Sequence, residues 1–106
     1  MVVLPSCSTP EDRRRAALME QVERVVKLPS GAGPLSHYKR FYAYGNDGDV
    51  LGLFLGGDFV SDSAAKRQWV EDYKSFPLVS DGGCGVVNLR FNLKTSKSES
   101  WCNGVA

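Results

Sequence analysis

Histidine occurs once and cysteine three times among the 106 residues of this chain. One imidazole and three scattered thiols match no zinc spacing, so no metal is expected. Charge of one sign is lacking too, since thirteen basic side chains against twelve acidic ones leave +1. A chain so near neutrality has little field with which to collect a polyanion, and nucleic acid is not favoured as a partner. No apolar run approaches the roughly 20 residues of a membrane-spanning helix. The length argues against a two-domain enzyme. What is present suits one globular domain: 42% hydrophobic residues supply a core and place the chain outside the disordered class.

The first residues, Met1-Val2-Val3-Leu4-Pro5-Ser6-Cys7, lack the basic start and the apolar length of a signal peptide. Leu4-Pro5-Ser6-Cys7 nonetheless resembles the end of a bacterial lipoprotein signal, where a small residue precedes the cysteine that receives lipid. Ser8-Thr9-Pro10-Glu11-Asp12 then reads as the polar tether behind it. The resemblance covers four residues, and Pro5 departs from the usual pattern. It implies Cys7 as a lipidation candidate, with the upstream part of the signal missing, and membrane attachment is expected only through that lipid. An exposed cysteine in a frayed tail over 1–9 is the plainer alternative.

With Cys7 in the tail, Cys84 and Cys102 remain as the candidate disulfide pair. A bridge closing a loop of that size contributes about 3 kcal/mol in the chain-entropy model. If the intervening turn centres on Lys94-Thr95, Cys102 faces Val87. A bulge or a bent Gly82-Gly83 approach is then needed to join the sulfurs. Two small hydrophobes in a reduced core are the other reading of the pair.

Along the chain, Thr9-Pro10-Glu11-Asp12 predicts a helix start, with a hydroxyl cap, proline in the first turn and acids at the positive end of the dipole. Leu18, Val22, Val25 and Val26 repeat at helical spacing, and Glu20–Arg24 and Glu23–Lys27 form outer i,i+4 pairs. Pro29 stops the helix, which is expected over 10–27. A hairpin follows: His37 to Tyr44, a turn at Asn46-Asp47-Gly48, then Val50 to Leu55. Placing Asp47-Gly48 at the two turn positions pairs Tyr44 with Leu51 and Tyr42 with Leu53. Tyr38, Arg40, Tyr42, Tyr44, Leu51, Leu53 and Leu55 then share one face, the seat for the helix. The stretch 63–76 reads equally as helix, from Ala65, Trp69, Tyr73 and Phe76, or as a short strand through Trp69 and Val70. Further strands are expected over 86–91 and 100–103.

Chemistry is thinly represented. A Cys84/His37 dyad has the two residue types for nucleophilic catalysis but no orienting third residue. Asn46-Asp47-Gly48-Asp49 lacks the length and distal glutamate of a calcium loop, and a hairpin turn explains it. Asp81-Gly82-Gly83-Cys84-Gly85 lacks the lysine and following helix of a phosphate loop. His37 to Tyr44 interleaves bases with aromatics as a single-strand stacking platform does, although the same tyrosines are needed to cover the helix. Arg90 and Trp101 share a face of the last hairpin opposite Cys102 and are the candidate binding-surface residues. Trp101 reads more readily as core.

The expectation is an α+β domain over 10–106, with an N-terminal amphipathic helix packed on a four- to five-stranded antiparallel meander sheet. The layout is similar to the cystatin-like and related small α+β folds, which host unrelated functions. The expected role is non-enzymatic protein binding in the periplasm or outer envelope, with no cofactor and an unknown protein partner. A small cytosolic enzyme using Cys84 as nucleophile is the alternative, and a weak single-strand nucleic-acid binder is a third reading.

Overall fold

A computed structural model describes residues 9–56, 67–77 and 83–103. Among the described residues, one α-helix, α1 (Pro10–Val25), lies on a five-stranded sheet of β1 (Lys39–Tyr44), β2 (Val50–Leu55), β3 (Arg67–Trp69), β4 (Gly83–Asn92) and β5 (Lys97–Asn103). The α+β class is as expected. The antiparallel meander is not, because the strand order is β3-β1-β2-β4-β5 and β3 runs parallel to β1. Trp69 does belong to a strand, but that strand adds to the far edge of β1 instead of continuing the hairpin. Residues 67–76 form this strand and a 3-10 turn at Tyr73–Ser75, with no α-helix. The tail over 1–8 and positions 63–66 lie outside the described residues.

The helix begins as its sequence dictates. The Asp12 amide donates to Thr9 Oγ1 at 3.0 Å and the Thr9 amide to Asp12 Oδ2 at 3.2 Å, closing a capping box. It stops at Val25, two residues before the expected end, and Val26 turns to extended backbone ahead of Pro29. Met19 and Val22 are buried with Leu18 and Val26 against the core, whereas Val25 is exposed, contrary to expectation. Val22 defines the buried line; Leu18, on the same flank as Val25, still packs on the core, and of the expected stripe only Val25, the last helical residue, is left in water. Sixteen residues make a rod of about 24 Å. Four inter-strand spacings amount to roughly 19 Å, so one helix reaches across the sheet. Arg15 meets Glu71 beyond β3 at 3.2 Å, and the Lys27 carbonyl just after α1 accepts from Ser100 Oγ on β5 at 2.5 Å.

The hairpin register differs from expectation by one residue. Gly45 N–H donates to the Asp49 carbonyl at 2.7 Å and Gly48 N–H to the Gly45 carbonyl at 3.2 Å. The loop is therefore three residues, Asn46-Asp47-Gly48, with Gly48 at φ +87°, where a side chain is strained. Tyr44 now pairs with Val50 and Tyr42 with Gly52. A slip of one residue carries every β2 side chain to the other face. The helix side thus holds Tyr38, Tyr42, Val50, Phe54, Val87, Leu89 and Phe91, while Leu53 and Leu55 lie opposite with Phe41 and Val86. The expected roof of helix over tyrosines is present; the leucines are beneath the sheet.

Candidate binding face

Among the described residues, the face turned away from α1 is only partly covered. Beyond β3 the chain returns across it, with Val70 and Phe76 packed on Phe41, Leu53, Leu55 and Val86. The Phe41 and Phe76 rings sit 6.5 Å apart. Asn46 Nδ2 donates to the Tyr73 hydroxyl at 2.9 Å, tying the start of this return to the β1–β2 turn. Alternation along β4 and β5 leaves Asn88, Arg90, Glu99 and Trp101 beyond its reach, with Asn88 paired to Trp101 and Arg90 to Glu99.

Two open depressions result, meeting at Tyr73. One, of about 410 Å³, is lined by Leu53, Phe76, Asn88 and Asn103, among others. Its neighbour, of about 380 Å³, runs from Leu51 to Arg90 and Trp101. Trp101 is 47% exposed, so it is not the core residue that its size suggested. Arg90 Nε donates to the buried carboxylate of Asp49 at 2.8 Å, and its Nη2 pairs with Asp47. These carboxylates raise the arginine above its ordinary pKa, with the Asp49 hydrogen bond as the largest cause. Asn88 Nδ2 donates to Asn103 Oδ1 at 3.1 Å across the last hairpin.

The structure therefore brings Arg90 and Trp101 to one depression, on one face, as the register of the last hairpin implies. Tyr73, Asn88 and Asn103 join them without a motif to mark them, and Asp47 and Asp49 serve as partners of Arg90 as well as turn residues. Asn88 is legible in the sequence, since a turn centred on Lys94-Thr95 sets it opposite Trp101. Tyr73 and Asp49 depend on the return segment and the longer hairpin loop, which no local pattern announces.

The other candidates fall elsewhere. Cys84 and Cys102 are joined by a disulfide, with Cα atoms 4.5 Å apart. Cys102 faces Val87 in the ladder, and an irregularity between Gly83 and Val87 swings Cys84 across. While bridged, Cys84 offers no thiolate, and His37 is exposed in the 3-10 turn Leu35–His37. Tyr38 and Tyr42 are buried and Phe41 belongs to the second core, so the aromatic row of β1 does not form an exposed stacking surface. Among the described residues, no group of three or more histidine, cysteine or acidic side chains is placed to hold a metal ion. Cys7 lies outside the described residues.

No protein-family model, curated protein or solved structure matches the chain. Among the described residues, no helix is long and apolar enough to cross a membrane.

Proposed function

We propose that this chain is a non-enzymatic binding domain of an extracytoplasmic, oxidising compartment, and that it holds a protein partner on the open face of its sheet. The observation that carries the reading is Trp101, a half-exposed indole beside Arg90 and Tyr73 at the rim of an apolar depression. Tryptophan, tyrosine and arginine are the residues that most often dominate protein interfaces. Arg90 is already held by two aspartates, which reduces the side-chain entropy that docking would remove. Two shallow depressions side by side suit a protein surface better than an enclosed small molecule.

The Cys84–Cys102 bridge supports the compartment, because structural disulfides persist where thiols are not kept reduced. The periplasm or outer envelope is the proposed location, and a lipid on Cys7 the proposed tether. Affinity capture from a bacterial envelope extract tests the role. Immobilised native protein should retain a specific protein that Trp101→Ala and Arg90→Ala both release. Identical retention by native and variant protein overturns the reading.

A further inference from the structure

We infer that the Cys84–Cys102 bridge is a redox-sensitive clamp on Trp101, so that the open face is ordered in oxidised protein and loosened in reduced protein. The consequence for binding rests on the function proposed above, whereas the clamp itself stands on the geometry of the ladder. β4 and β5 pair residue by residue from Asn92 with Lys97 to Val87 with Cys102, and the next pair is Gly83 with Asn103. Cys84, Gly85 and Val86 therefore fall between two consecutive residues of β5. The ladder is interrupted between Cys102 and Asn103, just past the Asn88–Trp101 and Val87–Cys102 pairs, and the covalent link spans the interruption.

The two sides of the link are not equally anchored. On the β4 side, Val86 pairs with Leu55, and the Gly85 carbonyl accepts from Gly56 N–H at 2.8 Å. The Cys84 carbonyl accepts from the Tyr38 hydroxyl at 2.7 Å, and its sulfur rests 3.6 Å from the Ser30 carbonyl. β5 is an edge strand, and among the described residues no strand pairs with its outer side. Breaking the bridge thus leaves Cys84 in place, whereas the end of β5 is freed from its covalent tie and held by the Val87–Cys102 and Gly83–Asn103 pairs and the Asn88–Asn103 hydrogen bond. Trp101 adjoins Cys102 and points to the opposite face by strand alternation, so the freed segment is the one that carries the exposed indole.

The step itself is thiol–disulfide exchange with a dithiol. One thiolate of the reductant attacks a cystine sulfur, the S–S bond breaks, and a mixed disulfide forms. The second thiol then closes the reductant's own disulfide, so two electrons and two protons pass to Cys84 and Cys102, which leave as thiols. Both cysteines are half-buried, so the step requires a reductant small enough to reach the sulfurs.

Hydrogen exchange on the full chain, read by mass spectrometry with and without dithiothreitol, tests the clamp. A Cys84→Ser, Cys102→Ser double variant provides the same comparison without reductant. Exchange over 100–103 should rise about tenfold or more in both reduced and variant protein, with β1 and β2 changing by less than about twofold. Unchanged protection over 100–103 overturns the inference, and so does equal acceleration along the whole chain, which marks a bridge that only stabilises the fold. In a Trp69→Phe background, where Trp101 is the remaining tryptophan, emission should shift on reduction; a constant spectrum contradicts the clamp. A Trp101→Ala protein that keeps its partner sinks the functional reading and leaves the exchange pattern untouched.

Discussion

The Tyr42 hydroxyl donates to Glu23 Oε2 at 2.7 Å, joining β1 to α1 through a buried phenol and a carboxylate. The same carboxylate faces Arg40 Nε at 3.4 Å and Arg67 Nη1 at 3.2 Å. Glu23 thus turns inward and binds helix, central hairpin and parallel edge strand together, where an outer pair with Lys27 was expected. Glu20 and Arg24, by contrast, do form their outer pair at 3.0 Å. Removing the carboxylate leaves guanidinium charge and a phenol facing an emptied site. Glu23→Ala should cost about 3 kcal/mol in urea unfolding, because breaking a buried pair exposes the desolvation of its partners. Glu23→Gln should cost less, since the amide oxygen still accepts from Tyr42. A loss below about 0.5 kcal/mol for the alanine variant contradicts this role.

The same phenol sets a pH limit. Burial first, and then the Glu23 hydrogen bond and charge, push Tyr42 far above its ordinary value of 10. At lower pH, folded and unfolded chains both keep the proton, and the phenol makes no difference to stability. Above about pH 10 the unfolded chain releases it and the folded chain does not, so stability falls by about 1.4 kcal/mol per pH unit. Urea midpoints between about pH 9 and about pH 11 should fall more steeply for native protein than for Tyr42→Phe. Parallel slopes show that the hydroxyl ionises alike in both states.

Gly56 follows β2 and lies against Tyr38. A Cβ there meets the ring carbons at 2.8 and 2.9 Å. The ring has no room to yield, because its hydroxyl accepts from Gly33 N–H at 3.1 Å and donates to the Cys84 carbonyl at 2.7 Å. Gly56→Ala should lose about 1–3 kcal/mol, as overpacked cores do. A melting temperature equal to that of native protein shows that Tyr38 is less firmly held than its contacts imply.

The elements legible in the sequence are those written in local chemistry. Thr9, Pro10 and Asp12 specify a helix start by themselves, and a β4–β5 turn centred on Lys94-Thr95 is enough to set Cys102 opposite Val87. What escapes sequence reasoning depends on one loop residue or on distant packing. Counting Asn46 into the hairpin loop moves Leu53 from the helix side to the opposite face, and alternation alone cannot choose between two- and three-residue loops. The parallel seat of β3 is fixed by Trp69 stacking edge-on to Tyr44 at 4.8 Å and by Arg67 reaching Glu23, contacts between segments far apart in sequence. The size of Trp101 argues for core, yet an edge strand on a half-covered face leaves it in water.

Exposure of Trp101 has a consequence for stability. A side chain that contributes little to the core should be removable at small cost, so Trp101→Ala should stay within about 0.5 kcal/mol of native protein. Urea unfolding measures this directly. A loss of several kcal/mol assigns Trp101 to the fold rather than to a partner.

Photo-crosslinking in intact cells tests the open face as a protein-binding surface most directly. A benzophenone amino acid at position 101 should yield a discrete higher-mass adduct, and the same probe at exposed Ala17 on the helix should yield none. Equal adducts from both positions, or adducts from the helix alone, contradict protein binding by this face.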